Sequence, residues 1–205
     1  MAPRNVPVPE HRGYAVPAVA VTAVMLELVA FRLTNGVTVI HVPRPGLVTA
    51  IETWIGAGAA DEPVDRGGLA HAVEHMLFRS TRRLGPAGVT SAICGRGGDV
   101  GAWTSHDHTA VHAVVAPSDL DAACDAIADA VAFPRLSPDD FDRERDVLIA
   151  ELRHAAGDPD RAAIEALFRQ LFVVHPYRRP IAGTERAIAG LGATALESMF
   201  RTWYV

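Results

Sequence analysis

Residues 67–78 read Gly67-Gly68-Leu69-Ala70-His71-Ala72-Val73-Glu74-His75-Met76-Leu77-Phe78. Leu69, Val73, Met76 and Leu77 recur at helical spacing, so the stretch predicts an amphipathic helix from about Gly67 to Phe78. On that helix His71 and His75 stand one turn apart on one face, where both imidazoles can reach a single cation. Glu74 borders the same face. Two neutral imidazole nitrogens at this spacing suit zinc, and a carboxylate beside them that leaves the ion alone can take a proton from water there. A hydrolytic zinc centre needs a third protein ligand, which this stretch does not hold. The plainer alternative is that two His and one Glu form the solvated face of an exposed helix, because His-x-x-Glu-His on its own is only moderately specific.

Upstream, the apolar runs Leu26–Leu33 and Val37–Val42 flank Thr34-Asn35-Gly36, a strong hairpin signal, and Val48–Ile55 reads as a third strand. Downstream, residues 99–105 and 107–116 read as a second hairpin. Helices are predicted over Leu120–Phe133, from Ser137-Pro138-Asp139 to about His154, over Arg161–Phe172 and over Gly192–Trp203. Ser137 is the expected cap of the second of these, with Pro138 at its first helical position. Strands and helices come in runs with neither repeats nor a low-complexity linker, which predicts an α+β layer structure, mostly antiparallel sheet packed against helices.

Composition narrows the function classes. The chain has 205 residues, 49% apolar and 21% charged, which is ordinary globular composition and excludes a wholly disordered chain. Its net charge of −5 argues against nucleic acid or an anionic membrane surface as partner. All 19 basic residues are Arg, so arginine marks no special recognition role here. Ala15–Ala30 is apolar but is interrupted by Pro17 and Glu27 and falls short of the roughly 20 residues of a membrane span, so a cytoplasmic chain without a membrane segment is expected. Cys94 and Cys124 cannot make a disulfide framework and are expected to be small buried thiols.

Further motifs give the His-x-x-Glu-His helix a context. Gly58-Ala59-Ala60-Asp61-Glu62-Pro63 precedes it, and Glu144-Arg145-Asp146-Val147-Leu148-Ile149-Ala150-Glu151 follows it. Together these segments resemble the insulinase/pitrilysin family of zinc peptidases, which includes mitochondrial processing peptidase. The likeness covers roughly residues 28–204 and implies one half-domain of the clamshell built by that family. It implies one zinc ion held by His71, His75 and Glu151, the last lying 76 positions after His75. It also implies Glu74 as catalytic base and Glu144, about two turns before Glu151, as the acid that supports the site. For Glu144 the alternative is a surface carboxylate near Arg143 or Arg145.

Gly97-Gly98-Asp99-Val100-Gly101-Ala102-Trp103-Thr104-Ser105 resembles the strand on which the family lays its extended peptide, which makes Gly101, Ala102, Trp103 and Thr104 the expected substrate-binding residues. Gly101 replaces the family's usual Asn and Val111 its usual aromatic residue. His175-Pro176-Tyr177 and Pro180–Thr184 resemble the family's later stretch. His106, His108 and His112 stand at even spacing, where a second metal site is conceivable and solvated hairpin histidines are the simpler reading. Trp54, Trp103 and Trp203 read as packing residues.

The resemblance implies a zinc-dependent endopeptidase or processing peptidase acting on small peptides or extended segments. Residues 1–25 are expected to be a loose arm and 26–205 the zinc-bearing half-domain, lacking its last strand and the second half. A second peptidase half, as a separate chain or by self-association, is therefore expected as partner. The alternatives are a non-catalytic or partner-dependent subunit of a two-part peptidase complex, and a zinc hydrolase of small molecules.

Overall fold

The computed structural model describes residues 28–204. They divide between Pro45 and Gly46 into two units. In the first, β1 (Val29–Arg32) and β2 (Thr38–His41) form an antiparallel hairpin that pairs Val29 with His41 and Arg32 with Thr38. Its turn uses Gly36 at φ 92°, the left-handed region that favours glycine. The Asn-Gly signal therefore sits where the sequence predicts, while Leu26, Glu27 and the arm before them lie outside the described residues.

The second unit contains β3 (Thr49–Ile55), a 3-10 turn at Ala59–Asp61, α1 (Leu69–Leu77), α2 (Gly88–Cys94), β4 (Asp99–Thr104) and β5 (Thr109–Val115). It continues with α3 (Leu120–Ala132), α4 (Pro138–Ala155), α5 (Pro159–Leu171), α6 (Glu185–Gly190) and α7 (Ala193–Trp203). Its sheet has the order β3-β5-β4 and both pairings are antiparallel, so the architecture is α+β. β5 is the central strand and buries Val111, Ala113 and Val115 against the helices, while β4 is an edge strand. α1 lies within this core: Ala72, Val73, Met76 and Leu77 have no accessible surface. It packs against α7, α4 and β4, which leaves one narrow face for polar side chains.

Several expectations need correction. Cys94 and Cys124 are free and exposed: their neighbours Ile93 and Ala123 face the core, and helical geometry turns the cysteines outward. The three hairpin histidines are half-buried rather than solvated. His106 stacks on Phe168 with ring centroids 5.3 Å apart, and His108 packs against Trp54 and Trp103 at 4.7 and 4.8 Å. His106 and His108 belong to the turn rather than to a strand, so the three do not converge on a metal. Trp54 and Trp103 do pack, edge-on against each other with ring centroids 5.3 Å apart, but both are exposed, as is Trp203. α6 carries no periodic signal in the sequence, because six residues are too few to register a 3.6-residue period.

Candidate metal centre

α1 starts under unusual constraints. Gly68 adopts φ 88°, and a Cβ there would lie 2.6 Å from the Ala182 carbonyl oxygen, so no other residue lets the helix approach that loop so closely. Gly68 offers no side-chain cap. The buried carboxylate of Glu62 does the capping instead, accepting from the Gly68 N–H at 3.1 Å and the Ala70 N–H at 2.8 Å. Burial pushes Glu62 up to about 7, against the lowering effect of those hydrogen bonds and of Arg179. Arg179 fastens the same loop, donating to the carbonyls of Glu62, Pro63, Ala59 and Ala60 at 3.0–3.2 Å.

The helix so placed brings His71 Nε2 within 3.2 Å of His75 Nε2. α4 supplies Glu151, whose Oε1 lies 3.7 Å from His71 Nε2 and whose Oε2 lies 3.4 Å from His75 Nε2. A tetrahedral ion at ordinary zinc–nitrogen distances sets its ligand nitrogens roughly 3.3 Å apart, so the three donors fit one zinc. They are the one convergent set of three or more His, Cys, Asp or Glu donors found among the described residues. Glu144, two turns before Glu151, is buried, and its Oε1 lies 2.8 Å from His75 Nδ1. That contact excludes the surface alternative for Glu144. A carboxylate acceptor at that position favours the neutral His75 tautomer that carries its proton on Nδ1, in which Nε2 is the free nitrogen.

Electrostatics separate the two imidazoles. Burial and the neighbouring His75 push His71 down to about 4, with Glu151 opposing and Arg161 reinforcing the shift. For His75 burial also resists protonation, but the Glu144 hydrogen bond and the carboxylates of Glu74, Glu144 and Glu151 outweigh it and hold the ring above its ordinary value. Glu74 is buried, and desolvation raises its carboxyl above the usual range although Thr104 Oγ1 donates to its Oε2 at 2.5 Å. Thr104 thus ties the edge strand to the carboxylate beside the metal ligands.

A cavity of about 800 Å³ opens over this group. His71, Glu74, His75 and Glu151 line one side, and Ala102, Trp103 and Thr104 of β4 line another. Gly101 is not in the lining. A Cβ on it would meet the His112 ring at 2.9–3.0 Å, which gives a physical reason for glycine at this position. The remaining wall was not foreseen: Arg161, Ile164 and Phe168 of α5, and the stretch from Tyr177 to Ala182. Tyr177 is held by its hydroxyl, which donates to Asp107 at 2.5–2.6 Å. Only the His175–Thr184 resemblance pointed toward that stretch, and no local pattern reveals which of its side chains face inward.

This fold matches a known class of protein. The sequence model of the insulinase family (peptidase family M16) matches residues 39–185, and the chain belongs to that family. It is 35% identical over 167 residues to an uncharacterized zinc protease of Mycobacterium leprae, covering 81% of this chain and 38% of that protein. It is 30% identical over 173 residues to a probable mitochondrial-processing peptidase subunit beta of Arabidopsis thaliana, covering 84% of this chain and 33% of the other. The crystal structure of pitrilysin superposes with a TM-score of 0.81 at 25% identity, over 89% of this chain and 20% of that one. The chain thus spans well under half the length of the curated relatives it matches.

Proposed function

We propose that residues 26–205 are the metal-bearing half of a zinc endopeptidase or processing peptidase that hydrolyses extended peptides. His71, His75 and Glu151 hold one zinc ion, which when bound supplies Lewis acidity to water and to the scissile carbonyl. Glu74 takes a proton from the attacking water and returns it to the leaving amine. Thr104 orients Glu74, and Glu144 orients His75 from behind. The peptide lies along Ala102, Trp103 and Thr104, where an edge strand offers main-chain hydrogen bonds independent of sequence.

One observation carries this reading: three ligand atoms converge within 4.8 Å beside a buried carboxylate that is not one of them, on the floor of a peptide-sized cavity. The name of the mycobacterial relative supports zinc. The share of the relatives covered, and the name of the plant one, support a second peptidase half that completes the enclosure, on another chain or by self-association. Two free cysteines fit a reducing cytoplasm. Among the described residues no helix is long and apolar enough to cross a membrane.

The test is zinc stoichiometry combined with cleavage of a mixed peptide library read by mass spectrometry. One zinc per chain is expected, lost in His71→Ala and kept in Glu74→Gln, with cleavage lost in both. Turnover by Glu74→Gln would overturn the assignment of the base. Bound zinc without cleavage by the unaltered chain would favour the partner-dependent reading.

A further inference from the structure

Arg79 has no part in the site as described, yet it touches the one carboxylate that orients a metal ligand. Its Nε lies 3.4 Å from Glu144 Oε2, while Oε1 of the same carboxylate lies 2.8 Å from His75 Nδ1. Both oxygens of a buried carboxylate are thus committed, one to a cation and one to a ligand imidazole. Arg79 Nε is itself buried and makes no hydrogen bond among the described residues, so Glu144 is the group it answers to. Its backbone is fixed from two sides: the Arg79 N–H donates to the Met76 carbonyl at 3.3 Å, and its carbonyl accepts from the Ala87 N–H at 3.0 Å. Ala87 adopts φ 55° and is the one non-glycine residue with positive φ among those described. A strained residue is kept where the chain returns to Arg79.

We propose that Arg79 is a positioning residue of the metal centre. This rests on the zinc site proposed above. The guanidinium holds Oε2 so that the Glu144 carboxylate cannot turn, which keeps Oε1 on His75 Nδ1 and His75 Nε2 aimed at the ion. Arg79 meets neither metal nor substrate; it acts through Glu144 and His75. Glu144 stands one step behind a ligand, where loss of a partner typically changes metal affinity by about 10- to 100-fold; Arg79 stands one step further back, so the low end of that range is expected.

The experiment measures zinc affinity of the intact protein by competition with a chromogenic chelator, alongside the thermal unfolding of the metal-free form. Arg79→Met is expected to weaken zinc binding about tenfold or more while the metal-free protein remains folded, and Arg79→Lys to recover most of that loss. In a Glu144→Gln background Arg79→Met should add almost nothing, because the two residues act in series. Should Arg79→Met fail to fold, Arg79→Gln is read in its place. Zinc affinity within twofold of the unaltered protein would overturn the proposal, and so would a full additional loss in the Glu144→Gln background. If the unaltered protein binds no zinc, the metal site itself falls. If it binds one zinc and Arg79→Met binds it equally well, only the role of Arg79 falls.

Discussion

α4 and α5 follow one another in the chain and face the same cavity, but they are held in place differently. α4 is capped by Ser137, whose hydroxyl accepts from the Asp140 N–H at 3.2 Å, and it buries Phe141, Glu144 and Leu148. Its polar contribution to the site, Glu151, therefore rides on a helix anchored by core contacts. α5 is capped as well, by Asp158, yet none of its 13 residues is buried. Ile164, Leu167 and Leu171 on it are 59%, 53% and 64% exposed. The floor that carries the ligands is thus preorganised by burial, as a metal site with fixed ligand distances requires. The wall on α5 presents apolar side chains that gain their burial only when something else covers them.

That contrast is broken most easily by removing what anchors the floor. Phe141 has no accessible surface, and Arg145 lies over its ring at 4.8 Å. Phe141→Ala should cost about 3–5 kcal/mol and Leu148→Ala about 2–5 kcal/mol in urea unfolding of the metal-free protein. A loss under about 1 kcal/mol in both would show that α4 is not anchored by burial.

The floor was also the legible part of the sequence. The spacing of His71 and His75 and the Ser137 cap are read from local period, and local period survives folding; Glu151 and Glu144 were tied to the site by the family resemblance alone, with the two-turn offset only placing them on one helix face. The wall was not legible because its members meet the site only through tertiary packing. No spacing says that Ile164 and Phe168 face inward while Leu167 does not. Glu62 escaped for a related reason: it caps α1 from six residues before Gly68, outside the usual capping positions, although it lies in the quoted segment Gly58–Pro63. The cysteines were misplaced because the general burial tendency of Cys does not reveal which helix face a given residue occupies.

Glu62 gives the next largest effect. Its folded value of about 7 lies above the ordinary 4.5, so the fold prefers the protonated form. Its contribution to stability is then complete below pH 4.5 and is lost as pH rises through 7, by about 3 kcal/mol. Glu62→Gln cannot titrate, so the stability difference between the unaltered protein and this variant should shift by that amount between pH 4.5 and 8. A flat difference would mean that the hydrogen bonds from Gly68 and Ala70 fully offset burial.

Gly101 lies on the edge strand β4, outside both regions. Gly101→Ala would bring a methyl to within 2.9–3.0 Å of the His112 ring, which must move aside. The ring is the outer end of a half-buried side chain, so about 1 kcal/mol is expected, at the low end for overpacking. In a His112→Ala background the same change should be close to neutral. A cost that persists there would place the constraint in the backbone and not in the ring.

The smallest effect on stability sharpens the comparison most. Ile164 and Leu167 sit on the same helix with similar exposure, and neither anchors it, so truncating either to Ala should change unfolding free energy by no more than about 0.5 kcal/mol. They differ in one respect: Ile164 lines the cavity and Leu167 does not. If the wall gains its burial from substrate, Ile164→Ala should raise KM for a cleaved peptide by roughly tenfold with kcat little changed, since an exposed aliphatic side chain adds binding that is equal in ground and transition states. Leu167→Ala should leave both constants alone. Equal effects from the two variants would mean that α5 acts as a whole rather than through the residues that face the metal. An effect from Leu167 alone would move the covering partner to the far face of the helix.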